Sequence, residues 1–318
     1  MRIMFFMDWP LAITYLRPIY DHFRSVEPEW ELFFASFDST ALSVAIAAGL
    51  PVSAVRTDYD VAFCCDGWSA CPARDRIVTF HGLASKGAEL SSQRAGRYDG
   101  VFIAPSDYFR DILVHKMGVP EERIIRGGLT KFDTVRFIPQ LRKKPKVLFA
   151  PTHNVETSAI PVLQDRIYEL DDVTVHLHMW TRTGEKDIAR EYRGYYPTRN
   201  DTEDITDLML AADIVIADMG STVLEAMALG RMAIQVVNPR WEELYLARDI
   251  GAEELATLPE IALPRRFAFE AGSMDEVLDI VGRYPDFPRP DFSLVDNVGK
   301  YRVSKILHEY VKERGVAR

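Results

Sequence analysis

The chain has 318 residues, of which 47% are hydrophobic and 27% charged, and its formal net charge is −9. This composition is that of a soluble globular protein, and the length suits two domains of ordinary size. The acidic balance argues against a general nucleic-acid binder, and the sequence has no run of about 18 apolar residues to span a membrane. Because the N-terminus lacks the pattern of a signal peptide, we expect a cytoplasmic protein.

The first half of the chain alternates short apolar strands with helices. Runs rich in β-branched and aromatic residues predict strands at 2–7, 31–35, 61–65, 76–80, 101–104 and 123–126. The strand at 76–80 leads directly into His81 and Gly82, with Lys86 four residues further on. Histidine is the side chain best suited to proton transfer near neutral pH. His81 is therefore either a proton-transfer residue or the histidine of an ordinary surface loop.

The three cysteines lie close together and match no common zinc or redox motif. Cys64 and Cys65 fall within a predicted strand, which they fill, and Cys71 follows shortly after. An odd number of cysteines without a secretion signal indicates reduced thiols. The first predicted crossover also lacks a glycine-rich phosphate turn, so a dinucleotide site of the usual kind is not expected there. We expect no cofactor.

The second half opens on another buried strand after a basic linker that contains proline. The linker is predicted at 137–146 and the strand at 146–150. The strand ends in a polar cluster that includes Thr152 and His153. Each half of the chain therefore begins with a strong strand, which is the pattern of two α/β domains in succession.

A pair of histidines lies in a predicted strand at 173–179. Because strand side chains alternate with a period of two, His176 and His178 would share one face. Paired histidines in this arrangement can hold a metal, but they supply only two ligands. No nearby carboxylate at a recognisable spacing completes a site, so we expect no metal.

The clearest stretch is 211–237, where strand, tight turn, helix and strand follow one another as a βαβ unit. Asp218 and the segment Gly220–Thr222 lie at its turn. Ligands of parallel sheets bind there, because the next helix presents free N–H groups and the positive end of its dipole. The alternative is structural: Thr222 and Glu225 form a capping box, which stabilises a helix by roughly 1 kcal/mol. The stretch alone supports both interpretations equally.

Two successive α/β halves, followed by a terminal helix at about 295–314, resemble the GT-B fold. In that fold two Rossmann-like parallel-sheet domains face a central cleft, and the C-terminal helix crosses back to the first domain. The resemblance implies an acceptor-side domain at 1–143 and a nucleotide-donor domain at 144–299. The helix at 300–318 would pack on the first of them, with its basic side either solvated or in contact with a membrane surface.

Five polar clusters resemble, in the same order, motifs of the CDP-glycerol glycerophosphotransferase family, the teichoic acid polymerases and primases. Residues 81–86 resemble His-Gly-x-Pro-x-Lys, and 128–133 resemble Gly-x-Pro-Arg-x-Asp. Residues 148–152 are similar to a strand ending in Ala-Pro-Thr, and His178 falls on the histidine of a His-Pro motif. Residues 212–221 resemble Ala-Asp-x-x-Ile-Thr-Asp-Tyr-Ser-Ser.

The resemblance implies a division of chemical roles. His81 would be the base for the acceptor hydroxyl, and His178 would bind the diphosphate or protonate the leaving group. Backbone amides at the start of the helix at 221–229 would hold phosphate oxygens. The residues predicted to bind the nucleotide donor or its phosphates are Lys86, Lys131, Asp133, Thr152, His153, Asp218, Gly220, Ser221, Thr222 and Glu225.

The function that follows is transfer of glycerol phosphate, or a related polyol phosphate, in the synthesis of a cell-surface polymer. The donor would be CDP-linked, the acceptor a hydroxyl of a glycan or a lipid-linked molecule, and no nucleic acid would take part. Peripheral contact with the inner membrane face and a homo-oligomer are compatible with the sequence.

Two other classes of protein stay open. The order of motifs also resembles UDP-N-acetylglucosamine 2-epimerases, and a UDP-sugar glycosyltransferase would share the fold. In either of these, Glu225 would contact the ribose hydroxyls. The second class is a non-catalytic nucleotide-binding or scaffolding protein that retains the fold.

Overall fold

A computed structural model describes residues 1–65, 71, 75–84, 100–136, 142–178, 181, 205–246, 251–284, 286, 298–300 and 302–316. The chain divides into two units. Unit 1 consists of Met1–Gly82, Glu89–Arg136 and Val295–Arg318. Unit 2 consists of Leu83–Ala88 and Phe137–Leu294.

Unit 1 is built on a six-stranded sheet with the order β2-β1-β3-β4-β5-β6. All of its strand pairs are parallel. The inner strands are buried on both faces because helices cover the sheet, which explains their unbroken apolar sequences. The strands are β1 (Arg2–Phe6), β2 (Glu31–Ala35), β3 (Val61–Cys65), β4 (Arg76–Thr79), β5 (Val101–Ala104) and β6 (Ile124–Arg126).

Four α-helices of unit 1 lie in the described ranges. Short 3-10 helices precede or follow them at Pro10–Ala12, Glu121–Arg123 and Thr130–Phe132. The last helix packs against the first, so the end of the chain returns to unit 1, as predicted. The helices are α1 (Ile13–Val26), α2 (Ser39–Ala47), α3 (Asp107–His115) and α11 (Arg302–Val316).

Unit 2 contains a five-stranded sheet with the order β11-β10-β9-β7-β8, again parallel throughout. Its helices in the described ranges are α4 (Ile160–Leu163), α5 (Ile205–Ala211), α6 (Ser221–Ala228), α7 (Trp241–Leu246), α8 (Ala252–Leu255), α9 (Pro259–Phe267) and α10 (Met274–Gly282). A 3-10 helix spans Gln164–Glu169. The strands are β7 (Val147–Phe149), β8 (Val173–Val175), β9 (Ile214–Ala217), β10 (Met232–Val236) and β11 (Phe269–Ala271).

The start of β7 is fixed by a buried carboxylate. Asp213, which precedes β9, accepts hydrogen bonds from the Lys146 amide at 2.9 Å and from Arg142 Nη1 at 3.0 Å. Arg142 also donates to the carbonyl of Ala211 at 2.9 Å. The end of the predicted linker is therefore bound to unit 2, and these bonds set the position from which β7 runs.

Two predictions about strands have different outcomes. Cys64 and Cys65 are buried in β3, which confirms that they fill a strand. The strand predicted at 173–179 is too long, because β8 ends at Val175. The period-two argument that placed His176 and His178 on one face therefore does not apply.

No helix in the described part of the chain is long and apolar enough to cross a membrane.

Candidate functional site

The carboxyl ends of three adjacent strands in unit 2 carry most of the predicted site residues. In the sheet β7 lies between β9 and β8. The segment after β7 contains Thr152 and His153, the segment after β8 contains His178, and β9 leads into Asp218. Since parallel strands end at the same edge, these segments are neighbours, and such an edge is where ligands of open α/β sheets bind.

Asp218 holds the segment that follows β7. Its Oδ2 accepts hydrogen bonds from the amides of Thr152 at 2.7 Å and Ala159 at 2.9 Å. Only 2% of the residue is exposed, and burial raises the pKa of its carboxyl to about 7. The carboxylate thus fixes both ends of the loop that carries Thr152 and His153. A direct contact between Asp218 and a nucleotide donor stays a prediction.

Asn238 and Ser158, which the sequence analysis did not identify, hold the same loop. Asn238 follows β10 and donates from Nδ2 to the carbonyls of Val155 at 2.9 Å and Ser158 at 3.0 Å. The Ser158 hydroxyl donates to the carbonyl of Thr152 at 2.9 Å. A sequence signal existed, because Asn238 stands just beyond a buried strand in the same way as Asp218.

The fixed loop brings two predicted site histidines together. The ring centroids of His153 and His178 are 4.4 Å apart, with 39° between the ring planes. The backbone amide of His176 donates to the carbonyl of Phe149 at 2.9 Å, which continues the alignment of β8 beside β7. Within the described ranges, no group of three histidine, cysteine, aspartate or glutamate residues is placed to hold a metal ion.

The helix that follows Asp218 begins without a side-chain cap. Its N-cap is Gly220, an extended residue, and no side chain accepts a hydrogen bond there. Thr222 therefore lies inside the first turn of α6, and the capping-box interpretation of Thr222 and Glu225 is wrong. Glu225 is instead buried in the helix, with 4% of its surface exposed. Amides of an uncapped first turn are the groups that bind phosphate oxygens.

Ser221, the first residue of α6, contacts the loop of the histidine motif. Its Oγ accepts a hydrogen bond from the Ala84 amide at 3.1 Å. Ala84 belongs to unit 2 and follows His81 by three residues in the sequence. Two of the predicted motifs thus meet at the start of α6. Lys86, the charged residue of the same motif, lies outside the described residues.

In unit 1, Tyr15 connects the two predicted motifs of that unit. Its hydroxyl donates to the carbonyl of His81, and its own carbonyl accepts from the Thr130 hydroxyl at 2.6 Å. The Nζ of Lys131 lies 5.2 Å from the centre of the Tyr15 ring. The ring of Trp9 lies edge-on to that of His81, with 5.5 Å between the centroids. Nothing in the sequence distinguished Tyr15 from the other apolar-face residues of α1.

Asp133, predicted to line the site, is fully buried at the N-terminus of α11. Its Oδ1 accepts from the Val303 amide at 3.2 Å. Its Oδ2 accepts from the amide and the hydroxyl of Ser304 at 2.7 and 2.6 Å. The carboxylate therefore satisfies first-turn amides and lies at the positive end of the helix dipole. A contact with a donor stays a prediction.

The sequence matches no protein-family model and no curated protein, whereas solved structures resemble it over nearly its whole length. The wall teichoic acid polymerase TagF has a TM-score of 0.60 at 13% identity, over 98% of this chain and 89% of that chain. A UDP-N-acetylglucosamine 2-epimerase has 0.55 at 15%, over 99% and 96%. MnaA from S. aureus, with UDP, has 0.59 at 11%, over 98% and 97%. Such identities show the fold alone, and the fold is GT-B, as predicted.

Proposed function

We propose that the protein is a transferase that moves glycerol phosphate, or a related polyol phosphate, from a CDP-linked donor to an acceptor hydroxyl. The observation that carries the proposal is the hydrogen bond between the Ala84 amide and Ser221 Oγ. Within unit 2 it joins Ala84, three residues beyond His81 in the sequence, to the uncapped start of α6. A proton-transfer group and a phosphate-binding helix terminus are the two parts that phosphoryl transfer requires.

The reaction would be a displacement at the phosphorus atom that bears glycerol. The acceptor oxygen forms a new bond to this phosphorus while its proton passes to His81. The bond from the same phosphorus to the oxygen shared with CMP breaks, and CMP leaves with a proton from His178. The leaving group is already a phosphate, so electrostatic stabilisation contributes more than proton transfer on that side.

The predicted binding residues of α6, of the loop after β7 and of the two lysines would have defined parts. Ser221, Thr222 and the amides behind Gly220 would hold the donor's phosphate oxygens. Thr152 and His153 would approach the donor from the loop that Asp218 fixes. Support for this assignment comes from their position at the carboxyl ends of neighbouring strands. Lys131 and Lys86 would add positive charge.

The experiment replaces His81 with alanine and follows the formation of CMP from CDP-glycerol. We expect turnover to fall by on the order of 10² to 10⁴, because proton transfer by a positioned side chain contributes that much. His115→Ala is the matched control, since His115 is exposed at the end of α3. Near-normal turnover in a folded His81→Ala protein would remove His81 from the mechanism.

A second candidate is an enzyme that acts on a UDP-linked sugar, either an epimerase or a glycosyltransferase. The observation that favours it is the likeness to the UDP-N-acetylglucosamine 2-epimerase, which covers 96% of that chain. The two candidates differ in nucleotide preference and in product. Release of CMP from CDP-glycerol supports the first, and a change in the sugar of UDP-N-acetylglucosamine supports the second.

A further inference from the structure

The most exposed large hydrophobic side chain in the described part of the chain is Phe37, at 70%. It stands two residues beyond β2, at the carboxyl edge of the unit 1 sheet. Single exposed hydrophobic residues are common and need no special explanation. Phe37 differs because it stands at the sheet edge where ligands bind and because its backbone is held in place.

Local hydrogen bonds fix the backbone on both sides of Phe37. The Ser36 hydroxyl accepts from the Asp38 amide at 2.9 Å. Asp38 in turn caps α2, with Oδ1 accepting from the Thr40 amide at 2.7 Å. The buried ring of Phe6 meets the Phe37 ring edge-on, with 5.6 Å between the centroids. Part of the Phe37 side chain thus packs against Phe6, while most of the side chain is exposed to solvent.

The Phe37 loop lies beside the loop that carries Trp9. Helix α2 packs against the 3-10 helix Pro10–Ala12, which begins immediately after Trp9. Trp9 in turn contacts the ring of His81. From β2 through β1 and β3 to β4 there are three strand spacings, or roughly 14 Å. Phe37, Trp9 and His81 therefore follow β2, β1 and β4 at one edge of the sheet, with β3 between the last two strands.

The chain segment that follows Phe37 indicates what kind of ligand fits. Residues 39–55 contain no charged side chain, although 27% of the whole chain is charged. The carboxylate next to Phe37, Asp38, is engaged as a helix cap, and Asp8 stands directly before Trp9. A charged ligand would find no counter-ion in this segment. An aromatic face suits the C–H face of a sugar ring, because the negative ring face attracts the positive hydrogens.

We propose that Phe37 and Trp9 form the acceptor subsite, in which uncharged sugar rings stack on the two aromatic side chains and lead to His81. The acceptor is then a glycan, and its reactive hydroxyl belongs to the sugar nearest Trp9. The roughly 14 Å edge accommodates more than one ring. This inference rests on the proposed transferase function, because it takes His81 as the base that receives the acceptor proton.

The test measures binding of N,N′-diacetylchitobiose, an uncharged disaccharide, to the full chain by saturation-transfer NMR without any nucleotide. Phe37→Ala should weaken binding about tenfold, the typical loss for one aromatic contact. Phe37→Leu should weaken it nearly as much, because leucine keeps the apolar area but has no ring face, and Phe37→Trp should restore it. Tyr168→Ala is the control, since Tyr168 is 45% exposed in the 3-10 helix Gln164–Glu169 of unit 2.

The outcomes separate the subsite from the transferase function. Calorimetry with CDP-glycerol should give the same affinity in Phe37→Ala as in the original chain, because the change affects only the acceptor side. Loss of disaccharide binding with unchanged CDP-glycerol binding supports the subsite. Equal disaccharide affinity in Phe37→Ala and the original chain, or no saturable binding to either, overturns it. Disaccharide binding without CDP-glycerol binding would overturn the transferase function and leave the subsite intact.

Discussion

Each unit contains a buried aspartate that was predicted to bind the nucleotide donor and that accepts hydrogen bonds from backbone amides of its own unit. In unit 1, Asp133 accepts three hydrogen bonds from the first turn of α11. In unit 2, Asp218 accepts two from the loop after β7. The first carboxylate attaches a distant helix to its unit, whereas the second shapes a loop that carries predicted site residues.

The two aspartates therefore have different roles: Asp133 stabilises the fold, whereas Asp218 shapes a loop that carries predicted site residues. A helix N-terminus stabilises a carboxylate through both its amides and its dipole, so Asp133 is well placed to strengthen the fold. Asp218 accepts from the Thr152 amide and from the amide of Ala159, the N-cap of the four-residue helix α4, and its burial raises its pKa to about 7. Its ionised form is therefore disfavoured by burial, while its hydrogen bonds position the loop that carries Thr152 and His153.

The largest expected effect on stability comes from Asp133→Ala. Removing the carboxylate leaves the amides of Val303 and Ser304 buried without an acceptor, so the free energy of unfolding should fall by roughly 2–5 kcal/mol. Chemical denaturation measures this change. Asp107→Ala, at the exposed first turn of α3, should lower it by less than about 1 kcal/mol. Unchanged stability together with lost nucleotide binding would make Asp133 a ligand-binding residue.

The next effect is the pH dependence that Asp218 gives to stability. Its pKa rises from 3.8 to about 7 on folding, so between these values the folded state keeps a proton that the unfolded state has released. The contribution of Asp218 to the free energy of unfolding therefore decreases as the pH rises from about 4 to about 7, by up to about 4 kcal/mol.

Asp218→Asn isolates this contribution, because asparagine does not titrate. The free energy of unfolding of the original chain minus that of the variant should decrease from pH 4 to pH 7 and be constant above. Denaturant titrations at several pH values measure it, and the subtraction removes the other titrating groups. A difference that does not change with pH would show that Asp218 ionises normally in the folded state.

The smallest effect concerns a partly buried contact along α11, in which the side chains of His308 and Glu27 are 17% and 13% exposed. Glu27 Oε1 lies 3.0 Å from Lys312 Nζ and 2.9 Å from His308 Nε2, and these contacts lower the pKa of Glu27 to about 2. Glu27→Gln should reduce stability at pH 7 by less than Asp133→Ala, and less again in high salt. Because the pKa is lowered on folding, the contribution is present above about 4.5 and is lost as the pH falls towards 2.

Denaturation at pH 7 and at lower pH measures the Glu27 contribution. Glu313→Gln, an exposed residue of the same helix, is the control and should have almost no effect. If Glu27→Gln destabilised the protein as much as Asp133→Ala, the contrast between a fully buried and a partly buried attachment of α11 would be lost.

The sequence predicted the sheets well because parallel strands covered on both faces are unbroken apolar runs. β9 and β10 are clear for this reason, whereas β8 is only three residues long, Val-Thr-Val, and was predicted four residues too long because the alternating pattern continues to 179. The functions of Asp133 and Tyr15 were not predictable in the same way. Their partners lie 170 and 66 residues away in the sequence, and no local pattern records such contacts.

The motif resemblance was most informative at the ends of strands. It identified Thr152 and His178, which follow the neighbouring strands β7 and β8, and Ser221, which begins α6. It did not include Asn238 or Ser158: Asn238 has only the general signal of standing just beyond a buried strand, and Ser158 does not directly follow a strand. The hydrogen bonds by which these two residues hold the loop are evident only in the structure.

The most direct test of the central claim is calorimetric titration of the full chain with CDP-glycerol and with UDP-N-acetylglucosamine. We expect CDP-glycerol to bind, and Ser221→Ala to weaken that binding, because Ser221 begins the helix that would hold the phosphates. Binding of UDP-N-acetylglucosamine without binding of CDP-glycerol would contradict the proposed donor and favour an enzyme of UDP-linked sugars.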